Sequence, residues 1–414
     1  MEDLKHEIKD TKGCGKRCHA SRLASKTPRS SGLTSHAQWP KVKLGEIGRV
    51  AMCKRVLNRE TADTGEIPFF KIGTFGKKAN AFITRDKFEY YRTHYSYPQK
   101  GNVLISAAGT IGRLVVFNGE PAYFQDSNIV WLEHDGQRLC DKYLYYFLLG
   151  HEWQFTQGAT IQRLYNDDIR STEIPLPPLP VQRRIADVLS AYDGLIENNR
   201  RRIAILEGTA RLAYRKWFGG ANTARTATLG EICQAFGGGT PKTTSPEFWD
   251  GDIPWVVPTD ITRNTCLALL DTERKITALG LQKSSAKMLP ANAILMTSRA
   301  SVGYFGMADF PVCTNQGFIS IVPNNDSWRW YLLFNLMSRV EEIRSNAKGS
   351  TFPEISRARF RSMDVAIPED NALIEFNNVV EPLMQQVRIL AKQNAFLATA
   401  RDMLLPRLMK GDLV

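Results

Sequence analysis

The chain is written twice. Leu44-Gly-Glu-Ile47 returns as Leu229-Gly-Glu-Ile232, Gly65-Glu-Ile-Pro68 as Gly251-Asp-Ile-Pro254, Asn102 to Gly112 as Asn292 to Gly303, and Gly158-Ala-Thr160 as Gly349-Ser-Thr351, at an offset that drifts from 185 to 191 residues. Solenoid repeats run at about 20 to 50 residues, so a period this long is a duplicated domain. A length of 414 residues agrees, because single cores stop growing beyond roughly 250 to 300 residues. Two similar modules in one chain imply two similar jobs done at two places.

Each copy reads as a mixed domain that closes in a long helix. In the first, the short β-rich runs Val103 to Ile105, Leu114 to Phe117 and Ile129 to Leu132 are punctuated by glycines and followed by an amphipathic stretch at 141–154. In the second, Ala293 to Leu295 and Phe318 to Val322 stand for the strands and Trp328 to Val340 for the helix. The expected fold class is therefore α/β (α+β): two domains of mixed, strongly bent sheet with helices, separated by a long antiparallel two-helix coiled coil. The expected divisions are a basic N-terminal arm at 1–37, a first domain at 38–172, a central helical spacer at 173–220, a second domain at 221–364 and a C-terminal spacer helix at 365–414.

The spacers carry the sharpest periodicity. Ile185, Leu189, Tyr192, Ile196, Asn199, Ile203 and Leu206 follow steps of four and three, a pattern that continues through Ala210, Ala213 and Trp217. The same steps recur 191 residues later at Phe376, Val380, Leu383, Val387, Leu390, Asn394 and Leu397, and on through Arg401, Leu404 and Leu408. A period of 3.5 held over more than four heptads is a coiled-coil seam, since a globular helix drifts to 3.6. The two helices are the obvious partners for each other, with Asn199 and Asn394 as register-setting polar positions. The alternative is that each helix lies on its own domain. At 1.5 Å per residue, the 33 seam residues make a rod of about 50 Å.

Composition limits the partners. Apolar residues at 43% and aromatics at 10% supply real cores. No apolar run approaches the ~18 residues of a membrane span, so no membrane is expected. The formal charge of +12 and the pI near 9.3 favour a polyanionic partner, nucleic acid first. Seven scattered cysteines fit reduced thiols, hence a cytoplasmic chain without a secretory leader. Cys14, Cys18 and His19 suggest half of a metal site, but no second pair follows at finger spacing and no metal is expected.

The residues then resemble a family, the DNA-specificity subunits of type I restriction-modification systems. Ile174-Pro-Leu-Pro-Pro178 leading through Gln182 into the helix is similar to that family's central spacer, Gly237 to Ile261 to the opening of a target recognition domain, and Leu404 to Val414 to the family's C-terminus. The second spacer departs from the pattern, reading Val365-Ala-Ile-Pro-Glu-Asp370 where the Pro-rich run and the glutamine are usual. The resemblance implies two target recognition domains that each read one half of a bipartite, asymmetric site in double-stranded DNA. It also implies a helical spacer that docks two methyltransferase subunits, and restriction-translocase subunits in a larger complex. Catalysis, with S-adenosylmethionine, ATP and Mg²⁺, would then belong to those partners, leaving this chain no catalytic residue and no cofactor.

Phosphates are held by Lys, Arg, small hydroxyls and backbone amides, while base edges are read by Arg, Lys, Asn and Gln. Such side chains cluster in the glycine-rich regions of each module. In the first they are Lys71, Thr74, Lys77 and Lys78 after a strand, Ser106, Thr110 and Arg113, and then Gln162 and Arg163 in a polar turn. In the second they are Thr240, Lys242 and Thr243, behind three glycines whose bare backbone would approach a phosphate, and Thr297, Ser298 and Arg299. Two rival readings remain at this stage: a coiled-coil scaffold for protein partners, and a stand-alone nuclease. Against catalysis, the chain has no Walker loop, no Gly-x-Ser-x-Gly elbow and no Asn-Pro-Pro-Tyr-like tetrapeptide. All six histidines precede residue 152, so the two copies cannot share a His-based mechanism.

Overall fold

The structure, a computed structural model, describes residues 39–153, 163–220, 225–349 and 353–412. The arm, with Cys14, Cys18 and His19, lies outside the described residues, as does Gln162.

Each copy folds into a lobe of three small sheets built to one plan. In the N-terminal lobe, Arg49–Met52, Ile129–Glu133, Val103–Ser106 and Leu114–Val116 form an antiparallel sheet in that spatial order, and Phe82–Ile83, Ile67–Phe70 and Tyr123–Phe124 form a second. Lys41–Lys43 pairs with Glu173–Pro175 to close the lobe. The C-terminal lobe repeats the order with Cys233–Gly237, Phe318–Pro323, Ile294–Thr297 and Phe305–Ala308, extended by Ala268–Leu269. Its second sheet is Arg274–Ile276, Trp249–Val256 and Cys313–Thr314, and its closing ribbon joins Thr226–Thr228 to Asp364–Ala366. The bend expected of each sheet is thus made by two sheets that share a core. The strands whose apolar runs are longest, Ile129–Glu133 and Phe318–Pro323, lie inside their sheets because only residues buried on both faces gain from that position.

The duplication holds to the level of single hydrogen bonds. Tyr143 Oη donates to Pro175 O at 2.8 Å, and Tyr331 Oη to Ala366 O at 2.6 Å. Leu44 N donates to Thr172 O as Leu229 N does to Met363 O, both at 2.9 Å. The bonds of Gln182 are not repeated. Gln182 is fully buried and joins the start of its helix to the lobe through Cys140 N, Arg138 O and Pro177 O. Leu373 occupies the corresponding place in the second helix and is buried as an apolar side chain, which accounts for the departure seen there in the sequence.

The two spacers are single helices, Leu179–Phe218 of 40 residues and Asp370–Lys410 of 41, so each is about 60 Å long at 1.5 Å per residue. The second runs through Pro382 and Pro406 and ends at Gly411, whose φ of 85° supplies the left-handed turn that satisfies the last carbonyls. The helices run antiparallel. Phe376, at the start of one, packs on Trp217 and Phe218 at the end of the other, while Leu408 near its end shares a cluster with Ile185 and Leu189.

Both sequence readings of the seam are realised. The helices pair with each other, and their ends also complete the lobes: Ile185, Ala186, Leu189, Leu405 and Leu408 belong to the N-terminal core, and Ile203, Ala210, Phe376, Val380 and Val387 to the C-terminal one. No hydrogen bond joins Asn199 to Asn394 among the described residues, and Asn394 Oδ1 is buried without a partner. The polar link across the seam is made instead by Arg401, which donates to Asp193 on the opposite helix.

Glu207 fastens the C-terminal lobe to the first long helix by accepting from Leu267 N at 2.6 Å. Its burial raises the carboxyl above the ordinary glutamate value of 4.5. A raised acid binds its proton more tightly folded than unfolded, so its contribution is fully present below the unfolded value and is lost as pH rises through the folded one. Glu207→Gln, which keeps an acceptor for Leu267 N, is therefore expected to melt higher than the parent at neutral pH, with the gap closing as pH falls towards 4.5. Thermal melts of both chains across that range check it, and a gap that does not change with pH would contradict it.

Candidate nucleic-acid interface

In each lobe the sequence candidates converge on one cluster of loops at the ends of the strands. The N-terminal cluster starts from the hairpin 106–113, where Ser106 Oγ donates to Thr110 O and accepts from Arg113 N at 2.8 Å. Arg113 Nη1 then reaches Phe75 O at 2.9 Å and draws the loop 71–78 alongside. Ile72 N donates to Gln125 Oε1 at 2.9 Å, and Arg163 Nη2 to Ser127 O at 2.6 Å, so the loop 125–128 and the turn at 163 complete the cluster.

The C-terminal cluster repeats this framework 191 residues on. Thr297 Oγ1 donates to Ser301 O and accepts from Tyr304 N at 3.0 Å. Ser298 N donates to Gly317 O at 2.8 Å as Ala107 N does to Asn128 O, and Ile355 N to Ser298 O at 3.1 Å as Leu164 N does to Ala107 O at 2.9 Å. The loop at 240 joins through Thr240 Oγ1 on Gln316 Oε1 at 2.5 Å.

Several candidates change role. Ser106, Thr297 and Ser298 are buried, and the hydroxyls of Ser106 and Thr297 are consumed in closing their hairpins. Ser106 and Thr297 thus shape the loops from within. Thr74 likewise closes its own turn on Lys71, through the backbone N and O of that residue. The glycines before Thr240 serve the chain itself: a Cβ on Gly238 would lie 2.1 Å from Asn315 O, and one on Gly239 2.2 Å from Ser285 Oγ. They admit neighbouring loops, a demand that sequence alone does not distinguish from room for a phosphate.

What remains exposed is basic. Lys77, Lys78, Lys242 and Thr243 stand out from the surface with Thr110. Lys71 Nζ touches Asn58 Oδ1 at 3.2 Å, and Arg299 lies half-exposed with its Nε 3.8 Å from Glu354. The structure adds residues that spacing did not single out. Arg55 pairs with Asp126 of the 125–128 loop at 2.8 Å, Arg357 lies beside Gly237, and Lys287 sits over the Phe236 ring at 5.8 Å. The polar runs Gln125 to Asn128 and Thr314 to Gly317, each ahead of the longest inner strand of its lobe's main sheet, are the sequence signal that would have located these loops.

Among the described residues no group of His, Cys, Asp and Glu could hold a metal ion, and no helix is long and apolar enough to cross a membrane. The buried thiols of Cys53, Cys233 and Cys313 are pushed up to about 12 by desolvation, which leaves them inert at neutral pH.

Comparison with known proteins decides the family. The type I restriction modification DNA specificity domain matches residues 37–207 and again residues 223–400. The chain belongs to this family. A putative type I restriction enzyme specificity subunit of Haemophilus influenzae is 52% identical over 154 residues, 37% of this chain and 40% of that protein. The specificity subunit of type I restriction enzyme MjaIX from Methanocaldococcus jannaschii is 33% identical over 171 residues and is likewise spanned over 40% of its length. The EcoR124I/EcoR124II specificity subunit of Escherichia coli is 26% identical over 291 residues, 63% of this chain and 70% of that one. In fold, the crystal structure of a type I restriction-modification S subunit from M. genitalium superposes with a TM-score of 0.58 at 19% identity, covering 91% of this chain and 98% of the other. The two matched domains each include one lobe and most of one long helix, so the family's repeating unit is a lobe with its spacer.

Proposed function

We propose that the chain is the DNA-recognition subunit of a type I restriction-modification complex, in which each lobe reads one half of a bipartite site. The observation that carries this reading is the pair of loop clusters: the hydrogen-bonded hairpin core recurs in both, while the exposed side chains around it differ. A shared scaffold with divergent display is what two readers of two different sequences require, because direct readout depends on which donors and acceptors are offered to the base edges. The basic surplus supplies affinity for phosphates without sequence preference.

The long helices carry a second clue. Val188, Ile205 and Leu212 are exposed on the first, and Val379, Phe396 and Met403, each 191 residues later, are exposed on the second. Two equivalent apolar patches fit two copies of one partner, and the methyltransferase subunits are that partner, with the restriction-translocase subunits joining the larger complex in the cytoplasm. S-adenosylmethionine, ATP and Mg²⁺ act on those subunits, and this chain performs no catalysis. Purified chain incubated with DNA and Mg²⁺ should leave the DNA intact.

The central test concerns the half-exposed Arg299. Arg299→Ala is expected to weaken recognition of one half-site by about 1–3 kcal/mol if its guanidinium reads a base edge, while the motif read by the N-terminal lobe stays unchanged. Mapping methylated adenines across a genome with the co-expressed methyltransferase gives the answer directly. Identical motifs with and without the substitution would remove Arg299 from the interface.

A further inference from the structure

Both lobes meet the helix pair through joints with polar links, among them Gln182 in one and Glu207 in the other, and beyond Gln182 and Leu373 the joints differ at three further equivalent positions. In the N-terminal joint, the buried Tyr146 of helix Asp141–Leu149 donates its phenol to Asp193 Oδ2 at 2.5 Å, and Arg401 donates to Asp193 Oδ1. One carboxylate on the first long helix thus ties a lobe residue to the second long helix. The tyrosine pair Tyr143 and Tyr331 aligns the lobe helices, and the seam aligns the long ones, so the internal repeat places Phe334, Met384 and Ala210 at the same three positions of the C-terminal joint. There all three are buried in one apolar cluster, beside the rings of Tyr214, Phe218 and Phe376.

The difference has a mechanical meaning. Apolar burial is non-directional and resists separation more than rotation, whereas hydrogen bonds to a charged group hold only in a narrow geometry. The N-terminal joint also has somewhere to go. Tyr145, Asp193, Asn394 and Arg401 border a cleft of about 790 Å³ whose far wall is formed by Thr259 to Glu273 of the C-terminal lobe. Without the Asp193 tie, the polar links left among the described residues between this lobe and the helix pair are those of Gln182 and Lys142 near the start of the first helix, and the rest of the contact is apolar and lies beside open space. We propose that Asp193, held by Tyr146 and Arg401, is a positioning residue for DNA recognition that sets the angle of the N-terminal lobe on the spacer and so selects the separation of half-sites the chain accepts. The proposal rests on the two-site reading above.

The test uses the full chain to select from a random duplex DNA library, with the retained duplexes sequenced. The parent is expected to return two motifs at one separation. Asp193→Ala is expected to return the same two motifs at neighbouring separations as well, about one base pair or 3.4 Å to either side. A triple variant, Tyr146→Phe with Asp193→Met and Arg401→Ala, transplants the apolar solution that already works at the other joint; it guards against a fold defect and is expected to broaden the separation in the same way. A single unchanged separation in the folded triple variant overturns the proposal, and so does a change in either motif. Independently of DNA, spin labels at the exposed residues 120 and 247, one on each lobe, should show a broader distance distribution in both variants than in the parent, and equal widths would also overturn it. If the parent itself returns no motif pair, the two-site reading fails while the label distances still judge the joint.

Discussion

Phe376→Ala is expected to cost about 3–5 kcal/mol of folding stability, the upper range for loss of a buried aromatic ring. Its side chain is fully buried at the start of the C-terminal long helix, with ring centroids 5.1 Å from Phe218, 6.3 Å from both Tyr214 and Trp217, and 6.4 Å from Phe334. Those partners come from the far end of the other long helix and from the lobe helix Arg329–Ser338, so two separately anchored elements face the gap. Collapse is limited when the walls are held elsewhere, which puts the cavity cost near its maximum. Urea unfolding of parent and variant measures it. The structure further predicts that the loss is local in origin: Trp217→Ala, which removes a partly exposed ring from the same group, should cost distinctly less. A Phe376→Ala cost below 1 kcal/mol would mean that the helix ends are not held by this cluster.

The second large effect concerns binding. Ile205, Leu212, Phe396 and Met403 are 63–75% exposed, although each is a large apolar side chain on a well-formed helix. On the second helix Ile389, Phe396 and Met403 recur every seven residues on the side away from the buried seam, the pattern of a helix apolar on two faces. Phe396→Glu should leave the melting temperature almost unchanged, because surface substitutions fall within about 0.5 kcal/mol. If methyltransferase subunits dock on these patches as proposed, it is expected to remove one of the two, since a charge placed at an anchor position costs about 2 kcal/mol or more of binding, about thirtyfold. Ile205→Glu should remove the other, and the double variant both. Mass measurement of the purified complex counts them, and two partners bound to the double variant would rule out these patches as the docking sites.

Much of the architecture was legible in the sequence because it is periodic. The heptads of Ile185 to Trp217 and Phe376 to Leu408 announce helices that need each other, and the strands at 103–106, 129–133, 294–297 and 318–323 lie where alternation and apolar runs place them. The candidate site was legible as loops but less so as residues. Ser106 and Thr297 carry the hydroxyls expected of phosphate ligands, yet both spend them inside a hairpin. Gly238 and Gly239 have the freedom expected of a ligand-binding turn, and use it to accommodate Asn315 and Ser285. Local chemistry specifies what a side chain can do, while the neighbours that decide what it does come from residues distant along the chain.

The amino-acid sequence by itself determined the duplication, the paired long helices and the basic surplus, since each is a regularity of spacing or charge that survives without coordinates. Only the tertiary structure decided that the lobes are built into the ends of the helix pair, that Asp193 and Arg401 form a polar link across the seam where the asparagines do not bond each other, and which polar residues of each loop cluster reach the surface. Those outcomes depend on pairs such as Asp193 and Arg401, or Arg113 and Phe75, brought together by the packing of whole elements. No periodicity encodes such pairs, because burial is a property of the assembled volume and not of the chain.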